Sequence, residues 1–406
     1  MPETLRLGIL REGKVPPDNR VPFTPEQAKQ IEIDYPHAEV YCQSSTLRCF
    51  TDDQYREAGV KVVDDIRDCD ILLGVKEVPI EELIPEKTYL FFSHTIKKQA
   101  YNRPLLQAIV EKNIRLIDYE KLTDDDGNRI VAFGRFAGIV GAYNGLYTYG
   151  LRHELYQLKR AKDCYDMKEM HQELRKVQLP PVKIVLTGGG RVAYGVMEIL
   201  DTVKVEQVDV QRFLYHPFDY PVYVKLDVRN YNYRLNGGPF DRQEFFLYPQ
   251  RYGSAFRHFT QAADLLVAAA YWDSRAPVLF TVEEMQSPTF SINVIADITC
   301  DIEGSIPSTI RPSTIDEPVY DYDPFTQTEQ PPFSSREHIS VMAIDNLPSE
   351  LPRDASASFG ESLHSHVLPS LLNEDSTNIV RRATITEHGA LTMEYRYLQN
   401  YLEGKE

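Results

Sequence analysis

Along the first third of the chain, short continuous apolar runs alternate with stretches in which apolar residues recur every three or four positions. The runs are LRLGIL (5–10), AEVYCQ (38–43), CDILLGV (69–75), TYLFFSH (88–94), IRLIDYE (114–120) and RIVAFG (129–134). Between them, PEQAKQIEIDY and NRPLLQAIVEKN carry helical spacing. Strands that are apolar throughout are covered on both faces, and their alternation with helices predicts a parallel sheet between helical layers. A polar helical stretch at about 139–178, ending at Pro180-Pro181, reads as a connector. A second series follows: KIVLT (183–187), QVDV (207–210), DLLVAAA (264–270), SINVIADI (291–298) and ISVMAI (339–344). The chain is therefore expected to be α/β, with two parallel-sheet units.

Two segments break the rhythm. Residues 215–258, rich in Tyr, Phe, Pro and Gly, read as an insertion in the second unit with little regular structure. Residues 317–337 read as a proline-broken loop or hairpin. Residues 355–406 turn helical again, interrupted at RRATITEHGALT.

Composition narrows the function classes. A chain of 406 residues has room for two domains. Its net charge of −16 argues against nucleic acid, which needs a basic face. An anionic substrate would have to be held by a local Arg/Lys cluster against the overall field. No apolar run is long enough for a membrane span, and MPETLRLGILREG lacks the form of a secretory signal, so a cytoplasmic location is expected. Five cysteines without a C-x-x-C pair (42, 49, 69, 164 and 300) indicate neither a disulfide framework nor a thiolate zinc site, and no metal is expected. They read as buried, inert thiols, with Cys300, between two aspartates, the one to watch.

LTGGGRVAYG (186–195) carries the first chemistry. Gly188, Gly190 and Ala193 satisfy G-x-G-x-x-A between an apolar strand and a helical pattern that starts with Arg191 and Val192. The first glycine makes the tight turn, the second lets backbone approach a pyrophosphate, and the small third residue lets helix pack on strand. The helix N-terminus attracts the phosphate charge. A Rossmann-like dinucleotide site is therefore expected. Asp209, 21 residues after Gly188, is the candidate for the ribose hydroxyls and leans towards NAD. Arg191 and Arg212 lie close enough in sequence to hold a 2′-phosphate instead, so NAD and NADP both stay open.

In the first unit, Lys76 and His94 each end a strand-like run, ILLGVK and YLFFSH. Ligands bind beyond the carboxyl ends of strands in open α/β sheets, so the two form a candidate acid–base pair. Glu77 and Glu120 are placed to tune it. Arg20, in PDNRVPFTP, is a candidate clamp for a substrate carboxylate. Asp297, Asp301 and Asp345 end later strands or follow them, and are expected on the ligand side of the second unit.

The segments NRVPFTP, LGVKEVP and FFSHTIK resemble the N-terminal domain shared by alanine dehydrogenase, the proton-translocating transhydrogenase and the lysine-forming saccharopine dehydrogenases. Within that superfamily KTYLFFSHTIK, IRLIDYEKL, RIVAFGRFAGIVGA, GGGRVAYG, YPQRY, AAYWDSRAP, IADITCDIEGS, AIDNLPSELPRDAS and ALTMEYRYLQ resemble lysine–ketoglutarate reductase. That is the N-terminal half of the bifunctional aminoadipic semialdehyde synthase, and the segments span nearly the whole chain in order.

The resemblance implies a substrate domain formed by 1–138 and 350–406, an NAD(P)-binding Rossmann domain at 139–349, and an active-site cleft between them. It also implies reductive condensation of lysine with 2-oxoglutarate to saccharopine, or the reverse. Lys76 and His94 match the acid–base pair, Arg20 the carboxylate-binding arginine, Glu77 and Glu120 the tuning carboxylates, and Asp345 an acid near the lysine amine. Arg135 and Arg353 are further candidates for the substrate carboxylates. The resemblance implies a stand-alone reductase-like unit and leaves the oligomeric state open. Another amino-acid or opine dehydrogenase on the same scaffold, with a different amine such as ornithine, is the alternative. A non-catalytic dinucleotide sensor is the alternative from another class.

Overall fold

The computed structural model describes residues 4–405, which form two compact units: 134–351, and 4–133 together with 352–405.

The first unit is built on an eight-stranded sheet. Strands β1 (Leu5–Ile9), β2 (Ala38–Gln43), β3 (Lys61–Val63), β4 (Ile71–Leu73), β5 (Thr88–Phe91) and β6 (Arg115–Asp118) are all parallel. The chain returns at its end as an antiparallel pair, β17 (Thr384–Glu387) and β18 (Ala390–Leu391), giving the order β18-β17-β6-β5-β4-β1-β2-β3. From β1 the chain winds outward through β2 and β3, then crosses to β4 and winds the other way. The order therefore reverses between β1 and β4, and the carboxyl ends of those strands flank a topological switch point, the usual ligand position in such sheets. Both faces carry apolar cores, one around Ile9, Leu73 and Phe359, the other around Leu72, Phe91 and Tyr401.

RIVAFG is not a strand. It is a loop held by one isolated bridge, Thr123 to Arg129. The edge beside β6 is taken by β17, and Val131 and Phe133 pack into the unit as loop residues.

The second unit holds β7 (Lys183–Thr187), β8 (Glu206–Gln207), β9 (Val222–Leu226), β12 (Leu265–Ala268), β13 (Val294–Asp297) and β16 (Ile339–Met342), with β14 (Tyr320–Asp323) and β15 (Thr328–Gln330) as an antiparallel edge hairpin. The order is β15-β14-β16-β13-β12-β7-β9-β8. Two short strands, β10 (Asn232–Arg234) and β11 (Tyr252–Ser254), pair separately.

Two expectations are corrected here. The stretch 139–178 is not a polar connector: a helix spans Gly134–Arg152 and is buried along most of its length. A short helix, Met167–Leu174, follows after a loop. And 215–258 is not simply an insertion, because VYVKL within it is β9, buried and parallel to β7.

The Gly134–Arg152 helix crosses the helix Arg191–Thr202 backbone against backbone. A Cβ on Gly138 would lie 1.9 Å from the Val192 carbonyl oxygen, and one on Gly195 2.0 Å from that of Arg135. Glycine at both positions is what lets the helices approach this closely and fixes the helix that follows the glycine turn.

Candidate active site

Four adjacent strands of the first unit, β6, β5, β4 and β1, end on one side, and each end is followed by a titratable side chain. Lys76 follows β4. Its N–H donates to Glu12 Oε2 at 2.9 Å, and the Val75 N–H donates to Glu12 Oε1 at 2.6 Å. Glu12, just beyond β1, thus spans the switch point and pins the backbone that presents Lys76. Burial drives the Glu12 carboxyl up to about 8, against those two N–H groups, which lower it. Burial also lowers the Lys76 ammonium from its ordinary value, and Arg20 adds to the effect, while Asp18 and Glu77 oppose it. Both effects make the ammonium easier to deprotonate than that of a solvated lysine.

His94 follows β5 with φ +55, in the left-handed region. A non-glycine residue held there is strained by about 1–3 kcal/mol. Its Nδ1 lies 2.5 Å from Glu77 Oε1, and Phe92 stacks on its ring at 6.4 Å. Glu77 Oε2 accepts from Lys14 Nζ at 2.7 Å. Burial alone would raise the Glu77 carboxyl, but His94 and Lys14 outweigh it and hold it at about 2. An ionised carboxylate only accepts, so Nδ1 carries a proton and Nε2 is the nitrogen that can exchange one.

Arg20 is buried and grips Asp18 in bidentate fashion, Nε to Oδ1 at 2.9 Å and Nη2 to Oδ2 at 2.5 Å. Its guanidinium lies 4.1 Å over the Phe133 ring, which stacks on Phe359. Glu120, after β6, pairs with Arg129, while its Oε2 is buried without a hydrogen-bond partner. Arg353 belongs to the same unit. It donates to the Cys49 carbonyl at 2.7 Å, and Cys49 in turn donates to the Asn19 carbonyl, beside Arg20.

In the second unit, Gly188 ends β7 at φ +108, where a Cβ would meet the Ala269 carbonyl at 2.8 Å. Gly190 precedes the first helical residue, Arg191, and a Cβ on Gly189 or Gly190 would meet nothing within 4 Å. Val192 is half-buried and Ala193 fully buried against the sheet. The turn is thus constrained below and open above the helix N-terminus, which fits a pyrophosphate.

The remaining expected residues fall elsewhere. Asp209 follows the edge strand β8, two strands from β7, and caps a helix by accepting the Arg212 N–H at 2.9 Å. The acid at the end of the strand beside β7 is Asp227. Asp297 is buried and saturated by Thr299, Cys300 and Thr309. It therefore shapes the loop after β13. Asp301 and Asp345 are exposed. Arg135 grips Glu198 at 2.7 and 3.0 Å, tying together the two glycine-packed helices, so the second unit occupies this guanidinium in its own packing.

Glu12, Lys14 and Asp18 had no signal in the strand pattern, because each lies in the irregular loop after β1. Burial pushes all five thiols up, Cys300 to about 12, so none is an activated nucleophile.

Residues 8–140 match the alanine dehydrogenase/PNT N-terminal domain, and residues 174–400 match the alanine dehydrogenase/PNT C-terminal domain. The chain belongs to the alanine dehydrogenase/PNT family. It is 32% identical to the mitochondrial alpha-aminoadipic semialdehyde synthase of Mus musculus across 98% of this chain and 48% of that protein. It therefore spans about half the length of the curated relatives of this kind that it matches. It is 28% identical to saccharopine dehydrogenase [NAD(+), L-lysine-forming] of Emericella nidulans, across 89% of this chain and 90% of that one.

Among solved structures, an L-alanine dehydrogenase is similar with a TM-score of 0.67 at 16% identity, covering 98% of this chain and all of that one. A transhydrogenase of Sinorhizobium meliloti is similar with a TM-score of 0.58 at 14% identity, covering 95% and 98%. Both share the fold of two Rossmann-like sheets. No described helix is long and apolar enough to cross a membrane.

Proposed function

We propose that this family member is an NAD(P)-dependent oxidoreductase that joins the ε-amine of lysine to 2-oxoglutarate, giving saccharopine, or runs the reverse, lysine-forming reaction. The observation that carries the reading is the grouping of Lys76, His94, Glu77 and Glu12 at the switch point of the first sheet. The names of its relatives, saccharopine dehydrogenase and aminoadipic semialdehyde synthase, support the choice of substrates.

In the forward direction the amine adds to the C2 carbonyl and gives a carbinolamine. Loss of water leaves a protonated imine, and hydride addition to its carbon gives the neutral secondary amine. A bound reduced nicotinamide supplies that hydride. The glycine turn and the helix starting at Arg191 would hold its pyrophosphate. Lys76 takes the proton lost from the attacking amine, in keeping with its lowered pKa. His94, oriented through Nδ1 by Glu77, delivers from Nε2 the proton that lets hydroxide leave as water. The Arg20–Asp18 pair offers a pre-oriented guanidinium to an α- or γ-carboxylate in a protein of net charge −16. Glu120 Oε2, lacking a partner, can accept from an ammonium group.

The test is oxidation of NADH and NADPH, followed separately, with lysine plus 2-oxoglutarate, and mass identification of the product. Saccharopine formation that needs both substrates is expected, with Lys76→Met and His94→Gln together lowering kcat/KM by at least about 100-fold. Unchanged turnover in the double variant would refute the acid–base assignment. Turnover with another amine but not lysine would refute the substrate assignment.

A further inference from the structure

The last residue of β6, Asp118, is fully buried between two groups of the candidate site. β5 and β6 pair in register through Phe91 and Asp118. Beyond Phe91, Ser93 donates its N–H to Asp118 Oδ2 at 3.1 Å, and its hydroxyl donates to the same oxygen. The other oxygen, Oδ1, accepts the Glu120 N–H at 2.7 Å. One carboxylate thus grips the residue before His94 with one oxygen and the backbone of Glu120 with the other. Burial pushes this carboxyl up, and the Ser93 and Glu120 donors oppose the shift. An amide in its place would offer a single acceptor oxygen, too few for both strand ends.

The backbone at His94 is fixed from both sides. Ser93 Oγ lies 2.8 Å from Thr95 Oγ1 and accepts the Thr95 N–H at 3.3 Å. Asn102 Nδ2 donates to the Ser93 carbonyl at 2.6 Å, which returns the loop to its start. Ser93, Thr95 and Asn102 are all buried. His94, at φ +55, therefore stands between two buried, hydrogen-bonded neighbours. A left-handed non-glycine residue persists only where its surroundings over-determine it. Here the surroundings are Ser93 and Thr95, and Asp118 anchors Ser93.

We infer that Asp118 is a positioning residue for the reaction: through Ser93 it fixes the direction in which His94 meets Glu77, and through the Glu120 N–H it fixes the carboxylate offered to the amine. The inference rests on the roles given to His94 and Glu120 above. Misplacing a reacting group by about 1 Å costs about 100-fold in rate, so a buried carboxylate that touches no substrate acts on turnover through these two neighbours.

Nitrogen-15 NMR of the intact protein reads which ring nitrogen of a neutral imidazole carries the proton, with His94 assigned by comparison with His94→Gln. Wild type is expected to show His94 protonated on Nδ1, facing Glu77 Oε1. Ser93→Ala and Asp118→Ala should each shift it towards the form protonated on Nε2. In turnover, Ser93→Ala loosens His94 alone and should lower kcat by at least about tenfold, with KM for the amine within about twofold. Asp118→Ala also releases Glu120, so it should lower kcat similarly and raise that KM by at least about fivefold. A merely structural role would lower the melting temperature of both variants and leave the protonated nitrogen unchanged. An unshifted His94 in Ser93→Ala, or equal amine KM values in the two variants, would overturn the inference. If Asp118→Ala does not fold, Ser93→Ala decides alone. The NMR measurement needs neither lysine nor 2-oxoglutarate. The expected shift in a protein that makes no saccharopine would sink the proposed reaction and leave the hold of Asp118 on His94 standing.

Discussion

Lys76 shows what a single residue contributes and costs. Its ammonium is placed where burial disfavours charge, so at neutral pH the folded state holds it at a penalty. The sign follows from linkage: a lowered pKa means that the unfolded chain binds more protons, and stability rises with pH through the shifted range. Lys76→Met removes the penalty. The variant is expected to be inactive yet more stable at pH 7 by about 1 kcal/mol, seen as a higher midpoint in thermal melting. Glu77 works in the opposite sense. Held at about 2 by His94 and Lys14 despite burial, its carboxylate stabilises the fold above its unfolded value of 4.5, and the contribution is lost as pH falls towards 2. Urea denaturation should show Glu77→Gln weaker than wild type by about 2 kcal/mol at pH 7, with the gap closing at acid pH. A gap independent of pH would assign the loss to packing instead. At this scale the candidate site was legible where a titratable residue ended an apolar run, as with Lys76 and His94. It was not legible for Glu12 or Asp18, whose roles come from hydrogen bonds across more than sixty residues or from an irregular loop.

Between elements, the deciding contact is the crossing of the Gly134–Arg152 helix with the helix that follows the glycine turn. Backbone meets backbone at Gly138 and Gly195, leaving no room for a side chain. Gly195→Val is expected to destabilise the second unit by at least about 3 kcal/mol, or to prevent its folding, as read by denaturant titration; a near-neutral outcome would contradict the packing. The sequence pattern labelled this helix a polar connector because its tyrosines and glycines dilute the apolar signal. The same dilution hid VYVKL: prolines and tyrosines around it read as loop, yet its backbone fills the position beside β7. RIVAFG misled in the other direction. An apolar run fits a strand only if a neighbouring edge is vacant, and here β17 holds it.

For the molecule as a whole, two units with separate cores predict two thermal transitions. NADH at about 100 times its dissociation constant should stabilise the unit that carries the glycine turn by about 2.7 kcal/mol. Differential scanning calorimetry should therefore show one transition moving and the other following only to the extent that the units are coupled. A single transition displaced as one would mean that they unfold together.

The sequence by itself determined the α/β class, the glycine turn ahead of a helix and the placing of a lysine and a histidine at strand ends, because these depend on local periodicity and nearest neighbours in the chain. Only the tertiary structure decided which strand lies beside which. That order places Asp227 rather than Asp209 next to the glycine turn and sets Glu12 under Lys76. Strand order is settled by long-range packing, where a two-residue edge strand and a buried five-residue one compete for the same neighbour, and burial on both faces favours the longer.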